Sequence, residues 1–292
     1  MTERSITRSG GWKDFPVHGR VGLILVLFFW SINWAFPGLR SHWAFFPLWL
    51  GYCLVIDGLV YLRKGTSLFS RSWKKYIGLF FVSAPVWWLF EAVNYRLQNW
   101  IYQGSELFTP LEFWLWATLS FTTVVPAVFG TAELVGTFEF FKHPRRGPVI
   151  KPEHRTTIFF FLLGWAMLAA MLAWPRLFFP FVWLSIFLIL EPVNIWLGNR
   201  SLAEWTKHGD WRPVLALWAG VLLTAFFWEM WNYFSYPKWV YQVPWGGCCK
   251  LFEMPLLGYF GYLPFALELY AMYHLIAALV GDRLTDYVQI IE

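Results

Sequence analysis

The stretch FFWEMWNYFSYPKWVY, residues 226–241, sets one acid and one amide among aromatic rings at the end of an apolar run. An upstream stretch, WWLFEAVNYRLQNWIY, residues 87–102, repeats the order Glu, Asn-Tyr, Trp and Tyr at nearly the same spacing. Glu91 and Glu229 are 138 residues apart, as are Asn94 and Asn232, and Tyr102 and Tyr241 are 139 apart. The likeness spreads outward from there. Phe45-Phe46-Pro47 precedes Asp57 as Phe178-Phe179-Pro180 precedes Glu191, with 134 residues between the two acids, and Glu112 and Glu253 are 141 apart. A slowly drifting offset is what a duplicated unit with small loop insertions produces.

The material between these stretches decides the class. The chain has 292 residues, of which 58% are hydrophobic and only 14% charged, with 22 Trp, far from the mixture of a soluble domain. Its apolar runs reach the roughly 17–25 residues a helix needs to cross a bilayer, and they lack the alternation of barrel strands. We read an all-α integral membrane protein of about eight transmembrane helices, with spans at 21–38, 43–62, 76–95, 112–136, 156–174, 177–197, 213–234 and 254–280. Lys and Arg fall mostly before the first span and after the second, fourth and sixth, which predicts cytoplasmic N- and C-termini in a bacterial-type inner (plasma) membrane. Four spans per unit is an even number. The expected organisation is therefore two parallel four-helix repeats about an axis along the membrane normal. It comprises a cytoplasmic segment 1–20, a first repeat 21–140, a basic linker 141–155, a second repeat 156–281 and a cytoplasmic tail 282–292. Topology accounts for the net charge of +5, and no nucleic-acid partner is expected.

Asp57, Glu91, Glu112, Glu133, Glu191, Glu229, Glu253 and Glu268 fall inside the spans or at their ends, whereas the apolar interiors contain no Lys or Arg. A bare carboxylate in a bilayer is costly, so each acid must be protonated, hydrogen-bonded, cation-bound or wet. The spacing Glu-x-x-Asn-Tyr puts Glu91, Asn94 and Tyr95, and equally Glu229, Asn232 and Tyr233, on one helix face, which is expected to point inward. The amides would satisfy or orient the acids. Asp57 and Glu191, near helix ends, suit a structural role. Pro126 and Pro264 should kink the returning helices, and residues 253–264 should be irregular. His274 stands alone, without a partner at ligand spacing, so no metal is expected. Cys248 and Cys249 are adjacent in a predicted outer loop, a spacing that fits neither a zinc motif nor an ordinary disulfide framework.

Acids among rings suit carbocation chemistry on a lipid-soluble polyene: the acid gives and retakes a proton while aromatic faces stabilise a transient cation. The segment NWIYQGSELFTPLEFWLW, residues 99–116, resembles the membrane-embedded lycopene cyclase domain family, in which Trp-x-Tyr precedes Pro-x-Glu-Glu at a helix start and the domain occurs twice. Trp100, Tyr102, Pro110 and Glu112 match; Phe113 replaces the second acid, and the second copy reads Phe252-Glu253-Met254-Pro255. That family has about three spans per unit where this chain has four. The resemblance implies proton-initiated cyclisation, or a related reaction, of a carotenoid or other isoprenoid, with no cofactor. Glu112 and Glu253 would then be acids or bases, with Glu91 and Glu229 as alternatives. Asn94, Asn232, Tyr95, Tyr233, Trp100, Trp239, Tyr102 and Tyr241 would bind or orient the substrate. The partners expected are the bilayer and a hydrophobic small molecule. Two other classes fit the same residues: a proton- or cation-coupled transporter, and a non-catalytic scaffold subunit of a membrane complex.

Overall fold

The computed structural model describes residues 14–36, 42–143 and 147–291. Arg4, Arg8, Lys13, Arg40, Arg145 and Arg146, which enter the charge count above, lie outside the described residues. Two antiparallel helices, α1 (Val17–Ala35) and α2 (Phe45–Lys64), open the fold. They approach closely at Gly22 and Gly51, where a Cβ on either would lie 2.7–2.8 Å from the other's carbonyl oxygen. Small residues make such an approach possible where no water is present to drive helices together. A short α3 (Leu68–Arg71) leads to α4 (Trp73–Leu97), a strand β1 (Trp100–Gln103), and the broken pair α5 (Pro110–Phe121) and α6 (Val124–Gly136).

The second half of the chain follows. α7 (His154–Ala173) is followed by α8 (Pro175–Phe178), a 3₁₀ turn, α9 (Ser185–Leu197), a short α10 (Ala203–Thr206), α11 (Arg212–Tyr233) and β2 (Lys238–Tyr241). A small hairpin of β3 (Lys250–Leu251) and β4 (Met254–Pro255) precedes α12 (Tyr259–Leu279). Among the described residues, seven helices are long and apolar enough to cross a membrane, which makes this a helical membrane protein. The expected span 177–197 is not one straight helix. Pro175–Trp183 and Ser185–Leu197 are bent by 41° at a break, giving up to eight spans if the pair counts as one. Pro180, lacking an N–H, sits in the 3₁₀ turn, and the start of α9 is met by Glu268 of α12, which accepts from Ile186 N at 3.2 Å.

The break between α5 and α6 falls at Thr122-Thr123, four residues before Pro126, whose ring clashes with the carbonyl of residue i−4. Ser83 of α4 repairs it, donating to Phe121 O at 2.5 Å and accepting from Val125 N at 3.0 Å. Pro264 has no comparable effect, because α12 runs through it as one helix. Residues 253–264, expected to be irregular, contain the end of the hairpin, a 3₁₀ turn and the start of α12.

The molecule has two faces. The strand face gathers the ends of α4 and α11, the starts of α5 and α12, and an antiparallel β1–β2 pair in the register Trp100↔Tyr241 and Tyr102↔Trp239. The terminal face carries α3, α10 and the segment after α12. Asp57 there accepts from Ser67 Oγ at 2.7 Å and Phe69 N at 2.9 Å, and lies 2.9 Å from His18 Nε2. Glu191 accepts from Ala203 N at 2.9 Å. Both acids therefore hold the start of a short helix, as a structural role requires. Residues 282–291, expected as a tail, are packed: Tyr287, Val288 and Ile290 are buried, and Tyr287 OH donates to Leu68 O at 2.8 Å. Part of the linker is anchored too, with Gly147 N bonded to Gly209 O and Ile150 N to Thr206 O.

Candidate functional site

The two amides act on backbone. Asn94 Nδ2 donates to Trp100 O at 2.8 Å, and its Oδ1 accepts from Asn99 N at 2.9 Å and Trp100 N at 3.3 Å. Asn232 repeats this, donating to Trp239 O at 2.8 Å and accepting from Trp239 N at 3.0 Å. The expectation that they bond Glu91 and Glu229 directly is thus corrected, because each amide is spent on the strand that follows its helix. The effect on the acids is one step removed, since that strand carries the Trp and Tyr that meet them. Replacing Asn94 or Asn232 by Ala leaves a backbone N–H and C=O unpaired at the strand face, at about 1–3 kcal/mol for each group. Each variant is expected to unfold at lower temperature in detergent, and an unchanged melting curve would contradict the anchoring role.

Three donors converge on one oxygen of Glu91: Trp87 Nε1 at 2.9 Å, Trp100 Nε1 at 3.0 Å and Tyr102 OH at 2.5 Å. Glu229 Oε1 accepts from Tyr241 OH at 2.7 Å and Tyr262 OH at 2.8 Å, while Trp239 Nε1 donates to Tyr241 OH at 3.1 Å. Its second oxygen is buried without a hydrogen-bond partner. Neither carboxyl meets a Lys or Arg in the described ion pairs. Burial, and next the neighbouring carboxylate, push the phenols of Tyr102 and Tyr241 well above the ordinary range, so they stand as O–H donors.

Between the two clusters lies a cavity of about 180 Å³. Trp87, Trp100 and Tyr102 line it from one half of the chain, and Trp239, Tyr241 and Tyr262 from the other. Neither Glu91 nor Glu229 lines the cavity, but each is hydrogen-bonded by tyrosines that do. Lys238 also lines it and is held by Glu253, which sits at the turn of the β3–β4 hairpin.

The remaining predicted residues divide. Glu112 is exposed and closes a capping box with Thr109, accepting from Thr109 N at 2.9 Å and Oγ1 at 2.8 Å, while its own N–H donates to Thr109 Oγ1 at 3.3 Å. Tyr95 is 87% exposed and Tyr233 41%, so the Glu-x-x-Asn-Tyr face does not turn its tyrosines inward. The expectation of acids without cations fails at Glu253 and also at Glu133, whose Oε1 lies 2.5 Å from Arg71 Nη2. Sequence reasoning missed Trp87 and Tyr262. Trp87 stands one helical turn before Glu91 and was legible by that spacing; the second half has Ala225 at the matching place and takes its donor from α12 instead, which no local pattern announces. Compared with protein-family models, curated proteins and solved structures, the chain matches none.

Proposed function

We propose that the chain is a duplicated membrane enzyme acting on an isoprenoid or carotenoid-like lipid by acid-base chemistry, in the aromatic cavity between its halves. The observation that carries this reading is that two intramembrane carboxyls, neither paired with Lys or Arg, are hydrogen-bonded by tyrosines that line one cavity, Glu91 by Tyr102 and Glu229 by Tyr241 and Tyr262. With the carboxyl protonated, the hydrogen bond can reverse: the carboxyl O–H donates to the phenol oxygen as the phenol hydroxyl turns to the cavity and gives its proton to a substrate double bond, and the reverse sequence removes a proton from the resulting cation. The surrounding rings favour the cation and exclude the water that would quench it. The resemblance of Trp100-x-Tyr102 to the lycopene cyclase domain supports the same substrate class. The geometry favours Glu91 and Glu229 over Glu112 and Glu253 as the working acids.

Duplication is supported by contacts that cross between the halves in pairs. Trp49 meets Trp228 with centroids 5.3 Å apart, and Trp183, 134 residues after Trp49, meets Phe90 at 5.7 Å. The β1–β2 register pairs each Trp with the other strand's Tyr, as a twofold axis between equivalent strands requires. Asp57 and Glu191 accept from residues 69 and 203, again 134 apart. Cytoplasmic termini are supported by Arg63, Lys64, Lys74, Lys75 and Lys207 on or beside the terminal face. A coupled transporter would need exchangeable acids on that face, where Asp57, Glu133 and Glu191 already hold structural partners.

The test is lipid and pigment profiling by mass spectrometry of a carotenoid-producing bacterial host carrying empty vector, the chain, or its Tyr102→Phe/Tyr241→Phe/Tyr262→Phe variant. A new isoprenoid product that disappears with all three phenols is expected. An unchanged profile from well-inserted protein would overturn the enzyme reading.

A further inference from the structure

Cys248 and Cys249 lie in the loop between β2 and β3, and both are free and exposed. The neighbouring Cys248 side chain pushes the Cys249 thiol's pKa up. Cys249 has φ 54, a left-handed backbone that few non-glycine residues adopt. Such positions persist only where the surroundings hold them, and two contacts do so here. Cys249 O accepts from Leu256 N at 3.0 Å, tying the pair to the far end of the hairpin, and Trp245 Nε1 donates to Arg176 O at 3.1 Å, fixing the loop to the second half. The hairpin held in this way presents Glu253 to Lys238 and Met254 to the cavity.

We propose that Cys248–Cys249 is a reversible dithiol/disulfide site, and that its closure shifts the hairpin and releases Lys238 from Glu253 at the cavity. The oxidant is a small-molecule disulfide. One cysteine thiolate attacks it and expels a thiolate. The second cysteine then attacks the mixed disulfide at the first cysteine's sulfur and expels another. Two protein thiols thereby become one S–S bond, and the external disulfide becomes two thiols. Closure makes an eight-membered ring through the intervening peptide. Consecutive Cα atoms are about 3.8 Å apart, below the ~4.4–6.8 Å at which disulfides sit at ease, so the bond forms under strain and is readily reduced. The backbone at Cys249 must move to accommodate it, and the Leu256 contact transmits that movement to Glu253. None of this depends on what the cavity holds.

The experiment uses purified full-length protein in liposomes, treated with glutathione disulfide, alkylated and digested with trypsin. Cleavage after Lys238 and Lys250 gives a peptide, residues 239–250, that contains both cysteines and excludes Cys53. Expected is loss of two hydrogens and of both alkylation sites on that peptide, reversed by dithiothreitol, in monomeric protein. Two alkylated thiols, persistent glutathione adducts or disulfide-linked dimers would overturn the site. Acetylation of Lys238 by a succinimidyl ester is expected to rise on oxidation in the wild type and to stay constant in Cys248→Ser/Cys249→Ser. Labelling that does not change while the disulfide forms would overturn the coupling to the cavity.

Discussion

On the proposed function, a chain in which Glu91 and Glu229 are both replaced by Gln is expected to lose turnover of the proposed isoprenoid substrate by at least about 100-fold, the lower bound for removing a general acid or base. Gln keeps the volume and an acceptor oxygen, so Tyr102, Tyr241 and Tyr262 retain a partner and the cavity keeps its walls. What the amide cannot do is exchange a proton with the phenol. The loss should therefore fall on kcat, with binding of the polyene nearly unchanged. Glu112→Gln supplies the contrast. Glu112 is an exposed capping-box residue, and surface changes of that kind stay within about 0.5 kcal/mol, so turnover should hold to about twofold. The measurement is initial rate in isolated membranes per unit of folded protein. Equal losses in the two variants would remove the special role of the caged pair, and a wild-type rate in the double Gln variant would remove acid-base chemistry from Glu91 and Glu229 altogether.

The contrast also marks where sequence reading reached. Apolar runs are one-dimensional signals, so most of the spans, the two Trp-x-Tyr segments and the caged acids stood in view without coordinates. The function of Glu112 was equally local: Thr109-Pro-Leu-Glu112 is a capping-box pattern, legible once the helix start is placed at Pro110. The family resemblance drew attention to Glu112 as an acid and past its three-residue relation to Thr109. Helical spacing likewise gave Glu91, Asn94 and Tyr95 a common face, yet that spacing is silent on the chain beyond the helix. At Gln98 the backbone turns left-handed, and the strand doubles back across Asn94. Tyr262 and Arg71 could not have been found in this way, since each reaches its acid from an element distant in sequence.

Arg71 and Glu133 set the second large expectation. Arg71→Met is expected to destabilise the protein by about 3–5 kcal/mol, the range for stranding one member of a buried ion pair. Glu133 is almost wholly buried, with Arg71 Nη2 on its Oε1 at 2.5 Å and Lys64 Nζ 3.9 Å from its Oε2. The same Oε1 accepts from Gln289 N at 2.6 Å, and Arg71 Nε donates to Tyr287 O at 2.9 Å. The pair thus fastens the segment after α12 across the end of α6. Removing the guanidinium leaves a carboxylate with one backbone donor and one long contact to Lys64, and it frees Tyr287 O as well. The double variant Arg71→Met/Glu133→Leu should recover part of the loss, because a matched apolar pair needs no desolvation of charge. Recovery should nevertheless stop short of wild type, since Gln289 N then has no acceptor, at about 1–3 kcal/mol. Unfolding in detergent, followed by denaturant for the four corners of the cycle, measures both terms. If Arg71→Met alone costs under about 1 kcal/mol, the pair behaves as a solvated surface contact, and the segment after α12 is held by Tyr287 and Ile290 instead.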